Sequence, residues 1–137
     1  MAKQNFIFIS YSRKDSEFTL RLAHDLREAG IAIWLDQLDL PPGTLWDDAV
    51  EEALKACSSM LVVLSPDSVS SKDVKDEFGY ALDEDVPIVP MLYRACDVPL
   101  RLRRFQRVDC STDYARGLKI LLLNLRKAGF EATAAAN

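Results

Sequence analysis

Five short apolar runs, Phe6 to Ile9, Ile31 to Leu35, Met60 to Leu64, Ile88 to Leu92 and a weaker one around Arg107 to Cys110, are separated by stretches with helical periodicity. Each run is too short for a helix and long enough for a strand buried on both sides. Buried strands alternating with helices imply a mostly parallel sheet covered on both faces, because a parallel neighbour can be reached only through a crossover. The chain therefore reads as α/β, and no internal sequence repeat breaks that pattern.

The crossovers have recognisable starts and stops. Ser16 to Ala29 carries Phe18, Leu22, Leu26 and Ala29 on one stripe; Asp15 or Ser16 is placed to cap it and Gly30 to stop it. A second helix follows DQLDLPPGTLW, with Ala49, Val50, Ala53, Leu54 and Cys57 on its stripe and Asp47 and Asp48 at its positive end. A third takes over near Asp73 and presents Val74, Phe78, Ala81 and Leu82. Pro87 and Pro90 bracket the fourth run, which suggests a strand near an edge or one tied down only at its middle. Tyr93 to Gln106 is a long basic connection, and a closing helix around Leu118 to Leu125 ends at Gly129.

With 137 residues, 49% of them hydrophobic, the chain has material for one cored domain and too little for two. Residues 1–130 read as that domain, and 131–137 as a frayed tail or the cut edge of a larger protein. The net charge of -4 argues against nonspecific nucleic-acid binding. Three cysteines, Cys57, Cys96 and Cys110, lack paired metal-ligand spacing and read as thiols of a reducing compartment, with no metal expected. Neither a signal peptide nor an uninterrupted apolar window of membrane-spanning length stands out, so the expectation is a soluble, cytoplasmic domain with no membrane contact.

In an open parallel sheet, ligands bind beyond the carboxyl ends of the strands. Ser10 to Asp15, Trp34 to Trp46 and Ser65 to Glu77 follow the first three strands and should meet at one rim. There is no GxGxxG after the first strand, which weakens a dinucleotide-binding dehydrogenase, and Ser10 and Ser65 stand where a phosphoacceptor receiver would need acidic residues.

The ordered segments FISYSRKD, AIWLDQLDLPPGTLW, LVVLSPDSV, SSKDVKDEF and VPIVPML resemble, in sequence order, the boxes of a TIR domain, particularly the bacterial type. The match runs from Phe6 to Leu125. The resemblance implies a flavodoxin-like three-layer sandwich with a five-stranded sheet in the order 2-1-3-4-5. It also implies one of two functions: cleavage of NAD as substrate to nicotinamide and ADP-ribose or a cyclic isomer, in a bacterial defence or signalling system, or non-catalytic recruitment of other TIR domains. Carried over position by position, the catalytic glutamate is Glu77, the aromatic ending the second strand is Trp34, and the polar positions of the first box are Ser10 and Arg13. Where the family often has Trp four residues before the glutamate, this chain has Asp73, leaving Trp34 or Trp46 to supply a stacking surface. The loop Asp36 to Trp46, the BB loop of the family, contains Pro41, Pro42 and Gly43; the resemblance makes it a self-association element bordering the site, with a fused or separate sensor as activating partner.

Each assignment has a structural alternative. Glu77 also reads as a solvated or paired charge beside an apolar stripe, Trp34 as core, Trp46 as a staple closing the loop onto the second helix, and Ser10 as a strand-end hydrogen bonder. Arg13 and Lys14 read as basic surface, Asp15 as a cap, Asp36 as an organiser of the turn into the BB loop, and Arg101 to Phe105 as solvated loop charge.

Overall fold

A computed structural model describes residues 3–130. Strands β1 (Gln4–Ser10), β2 (Ile33–Trp34), β3 (Cys57–Leu64), β4 (Ile88–Leu92) and β5 (Val108–Asp109) form one sheet in the order β2-β1-β3-β4-β5, every pairing parallel. Helices α1 (Ser16–Glu28), α2 (Asp36–Asp39), α3 (Trp46–Ala56), α4 (Pro66–Val69), α5 (Lys72–Asp83) and α6 (Tyr114–Lys127) connect and cover it. This is the parallel sheet covered on both faces that the alternation of runs and helices predicts, in the flavodoxin-like order that the family resemblance implies.

The two-residue period of the strands sorts the core into two layers. Ile7, Ile9, Leu61 and Val63 pack with Leu22 and Leu26 of α1 and Leu121 and Leu125 of α6. Phe8, Met60, Val62 and Leu64 pack on the opposite face with Val50 and Ala53 of α3 and Val74, Phe78 and Ala81 of α5.

Strand boundaries depart from the apolar runs for identifiable reasons. β2 is two residues long rather than five, because the N–H of Ile31 donates to Leu26 O at the end of α1 (2.9 Å) and that of Leu35 to the Asp39 carboxylate (2.7 Å). Neither is free for the sheet. β3 begins earlier, at Cys57, so that residue is a strand residue at the C-cap of α3 and not part of the α3 stripe. In β4, Tyr93 donates to Leu64 O while Leu92 O accepts from Cys110 N, so even-numbered residues face β5. Pro90 is one of them, and β5 pairs only with Met91 and Leu92; the missing N–H falls on the side where β4 has little to bond.

α1 and α6 both stop on a left-handed glycine, Gly30 (φ 83°) and Gly129 (φ 98°), with the following residue donating back to Leu26 O and Leu125 O respectively. α5 stops the same way on Asp85 (φ 56°), with Val86 donating to Ala81 O. The fifth run is a two-residue strand, and Gly117 of α6 lies so close to it that an added Cβ would sit 2.7 Å from Cys110 Cβ and 2.9 Å from Asp109 O. Residues 131–137, expected as a tail, lie outside the described residues.

Candidate active site

Parallel topology brings the segments after β1, β2 and β3 to one edge, and polar side chains knit them there. Arg13 Nη2 donates to Asp36 Oδ2 at 2.7 Å, Lys14 Nζ lies 3.8 Å from Asp67, and Ser65 Oγ donates to the Asp15 carboxylate. Asp15 thus does not cap α1 through its side chain, as its sequence position suggests. Its carboxylate is buried and turned toward β3, and Ser12 Oγ instead accepts from Lys14 N to begin the preceding turn (3.3 Å). Ser65 and Ser68 form a capping box at α4.

Beside this knot, between the start of α3 and the first turns of α5, lies a cavity of about 260 Å3. Arg13, Trp34, Trp46, Asp73 and Glu77 all line it. Ser10 does not; it is fully buried behind the wall, where its hydroxyl donates to Glu77 Oε1 at 2.6 Å. Five of the six candidate residues therefore line one cavity, and the sixth holds the carboxyl of one of them.

Glu77 is presented by α5, which starts because Ser71 caps it, accepting from Val74 N at 3.3 Å. Asp73 and Glu77 fall one turn apart on the same side of that helix. Burial pushes the Glu77 carboxyl up to about 7; the Ser10 hydrogen bond works against that, while the charges of Asp36, Asp73 and Asp76 reinforce it. Near neutrality this group is therefore divided between acid and carboxylate.

The two indoles differ. Trp34 stacks on Phe8 with ring centroids 5.1 Å apart and planes 15° from parallel, so it is both core and cavity wall. Trp46 is the first residue of α3 and is not a staple residue ahead of the cap; its Nε1–H donates to Asp36 Oδ2 at 3.3 Å. It also lines a second hollow that continues from the first between α3 and α5, past Val50, Asp73 and Glu77 to Tyr80. Arg13 is 61% exposed but tethered to Asp36, and so is oriented rather than loose surface charge.

Two contributors escape the sequence pattern. Tyr11 lines the cavity and donates to Asp36 Oδ1 at 2.6 Å, and Ser71 lines it while capping α5. Ser71 carries a sequence signal as the polar residue just ahead of an apolar stripe; Tyr11 stands within FISYSRKD, but nothing local announces its contact with a partner 25 residues away. The Arg101 to Phe105 segment is elsewhere: Arg101 pairs with Asp83 (3.1 Å), and Arg103 with Asp97 (3.2 Å) and Val98 O (2.8 Å). Cys57 and Cys110 are buried and Cys96 partly so, all as free thiols. Among the described residues no helix is long and apolar enough to cross a membrane.

The chain is a doubly wound module that carries a half-buried carboxyl at the carboxyl edge of its sheet. The profile of the TIR domain matches residues 7–122, and the chain belongs to that family. Among curated proteins it is similar to the uncharacterised protein y4cD of Sinorhizobium fredii (30% identity, 77% of this chain and 16% of that protein). It is also similar to the probable 2' cyclic ADP-D-ribose synthase BdTIR of Brachypodium distachyon (26%, 64% and 40%) and to the NAD(+) hydrolase PdTIR of Paracoccus denitrificans (38%, 43% and 20%). The match thus spans less than half the length of each of these relatives. Among solved structures, the TIR domain of the Toll-related receptor TRR-2 from Hydra magnipapillata superposes with a TM-score of 0.76 at 26% identity, over 88% of this chain and 97% of that one. The TIR domains of the activated Roq1 resistosome superpose with 0.71 at 17% identity, over 89% and 99%, a likeness of fold alone. Relatives of this chain in sequence therefore include a protein named as an NAD(+) hydrolase and one named as a probable 2' cyclic ADP-D-ribose synthase.

Proposed function

We propose that this domain cleaves the bond between nicotinamide and ribose in NAD, releasing nicotinamide and ADP-ribose or a cyclic isomer, as part of a bacterial defence or signalling system. The observation that carries the reading is Glu77: a carboxyl fixed by Ser10, raised toward neutrality, in a cavity also lined by Arg13 and Lys14. The named activities of BdTIR and PdTIR make NAD the substrate to try first.

The chemistry asks little of the protein in the way of proton transfer. Nicotinamide leaves as a neutral pyridine, so the leaving group needs no acid. What develops is positive charge on the ribose, and an anion held close to it lowers the barrier. Glu77 serves as that anion in its ionised form, Ser10 fixes the carboxylate's direction, and Trp34 and Trp46 offer apolar walls for the departing ring. Arg13 and Lys14 supply cationic groups for the pyrophosphate. Water as nucleophile gives ADP-ribose; a hydroxyl or ring nitrogen of the same substrate gives a cyclic product.

Because the carboxylate is the working form, cleavage rises with pH through about 7, as Glu77 loses its proton. Incubating concentrated protein with NAD and following nicotinamide by chromatography tests the reading. Glu77→Ala is expected to lower release by about 10²-fold or more. Release that survives this substitution unchanged removes Glu77 from the reaction.

A second reading, a TIR–TIR scaffold, is favoured by one feature: Leu38 and Leu45 of the BB loop are 46% and 73% exposed. We place self-association there, through Asp36 to Trp46, in a cytoplasmic protein activated by a fused or separate sensor. The two readings are compatible if assembly completes the site. NAD turnover rising more steeply than linearly with protein concentration would join them; linear turnover separates them.

A further inference from the structure

Asp36 lies at the exit of β2, is 9% exposed, and receives more hydrogen bonds than any single ligand role requires. Its Oδ1 accepts from Tyr11 Oη (2.6 Å) and Gln37 N (2.8 Å), its Oδ2 from Arg13 Nη2 (2.7 Å) and Trp46 Nε1 (3.3 Å). The ring closes outside the carboxylate as well: Gln37 Nε2 donates to Tyr11 Oη (2.7 Å) and to Ser16 Oγ (2.8 Å), and Ser16 Oγ donates to Arg13 O (2.6 Å). The loop after β1, the exit of β2 and the first residue of α3 are thereby joined at one anion. Tyr11, Arg13, Trp46 and Asp36 itself all line the cavity that holds Glu77.

We infer that Asp36 is a positioning residue of this site, acting through Trp46 and Arg13: its carboxylate holds the indole and the guanidinium in place as one wall of the Glu77 cavity. The inference rests on the function proposed above for its catalytic consequence, but its structural content stands without it.

The chemistry requires a carboxylate at this position. All the groups converging on it are donors: a phenol, a guanidinium, an indole N–H and a backbone N–H. Burial, then the hydrogen bond to Asp36 and its charge, raise the Tyr11 phenol well above its ordinary value, so it remains a donor at any working pH. An amide of the same shape would turn an NH2 toward at least one of these donors and leave that donor unmatched. Arg13 is exposed enough to sweep through solvent if released, and Trp46 packs against the α3 and α5 core while remaining partly exposed, so the bonds to Asp36 add to whatever packing supplies.

The test compares Asp36→Asn with wild type by the indole N–H resonances in a 15N-labelled sample. The chain has two tryptophans, so there are two signals to follow. Asp36→Asn is expected to move the Trp46 signal upfield and speed its exchange with water while leaving that of Trp34 in place; Trp46→Phe assigns the signal by deleting it. If the Trp46 signal and its exchange are unaltered, the inference is overturned. Should Asp36→Asn not fold, Asp36→Glu reads the same signal, because the added methylene displaces the carboxylate while keeping its charge; an unmoved Trp46 signal there overturns the inference equally.

The catalytic consequence is read with NAD. Asp36→Asn is expected to lower kcat/KM by about 10- to 100-fold, with most of the loss gone in a Trp46→Phe, Arg13→Gln background, since the substitution then has nothing left to release. Full additivity would overturn action through those two residues. If wild type shows no NAD turnover, the functional reading fails by itself and the resonance comparison still decides whether Asp36 holds the wall.

Discussion

The two helical layers of this domain are built to different standards. Under α1 and α6 the sheet is covered by aliphatic side chains joined by Phe18 and Phe130, and at Gly117 the helix comes so close to the strand end that no Cβ fits. Over α3 and α5 the apolar core is equally complete near the middle of the strands, but it gives way at their carboxyl ends to a cavity rimmed by Asp36, Asp73, Glu77 and Arg13. The first layer keeps most of its charges, such as Lys14, Glu17, Arg21 and Arg94 around the start of α1, at exposed margins; the second holds the Glu77 carboxyl where burial costs stability. Local disagreement with the rules of a good core marks the layer where function is to be sought.

The sharpest attack on that contrast is on the sealed layer. Gly117→Ala inserts a methyl group against Cys110 Cβ and the backbone of Asp109 and Cys110, atoms of the sheet edge that have little freedom to move away. We expect a loss of about 2–3 kcal/mol in denaturant unfolding, although alanine is the better helix former by about 1 kcal/mol. The site on the other layer should be spared, so NAD turnover per folded molecule stays at the wild-type level. A neutral or stabilising Gly117→Ala would show that the sealed layer yields, and the contrast would fail.

The open layer should respond in the opposite sense. Folding raises the Glu77 carboxyl from 4.5 to about 7, so the folded state binds its proton more tightly than the unfolded chain does. Below pH 4.5 this costs nothing; between 4.5 and 7 stability falls as the unfolded state ionises first; above 7 the whole penalty is present. Glu77→Gln, uncharged throughout and still able to accept from Ser10, is expected to be more stable than wild type by about 1–2 kcal/mol at pH 8, after discounting for partial solvent access, and nearly equal to it at pH 4. Thermal melts at the two pH values check it. A gain equal at both would mean that packing, not charge, separates the variant from wild type.

The sequence conveys the fold and the site to different depths. Runs such as Met60 to Leu64 and Ile88 to Leu92 are legible because burial on both faces leaves no polar residue in them, and β4 has the bounds its run suggests. β2 is not legible, because Ile31 and Leu35 are as apolar as strand residues but have their N–H groups taken by α1 and Asp39. At the site, the meeting of Arg13, Trp34, Trp46, Asp73 and Glu77 follows from topology once the sheet order is fixed. The convergence of Tyr11, Arg13 and Trp46 on Asp36 does not, since hydrogen bonds between loops have no period, and the same goes for Asp15 turning from α1 to Ser65. Patterns of burial repeat along a chain, whereas polar partnerships are settled only by where the loops finally lie.

A smaller difference between the layers appears where the helices stop. α1 and α6 end on glycine, but α5, which carries Glu77, ends on Asp85 in the left-handed region. Asp85→Gly relieves that conformation, and against it runs the greater freedom glycine gives the unfolded chain. We expect a net gain of about 0.5 kcal/mol or a little less. A loss would mean that the Asp85 side chain contributes something to the end of α5 beyond its backbone geometry.

The smallest effect tests whether the carboxylates of the open layer act on one another at all. Asp73 stands one helical turn before Glu77, and its charge is among those that raise the Glu77 carboxyl, behind burial and Asp36. Asp73→Asn removes that charge with little change in shape, so Glu77 should ionise at lower pH and the acid limb of NAD cleavage should move the same way, with the rate at high pH nearly unchanged. Asp73→Trp removes the same charge and adds the ring that TIR domains often carry at this position. If both variants displace the acid limb alike, the charge of Asp73 tunes the site. If only the tryptophan variant changes turnover, and does so at all pH values, the ring matters and the coupling does not. An acid limb that stays put in Asp73→Asn leaves burial and the other neighbouring charges to explain why Glu77 titrates near neutrality.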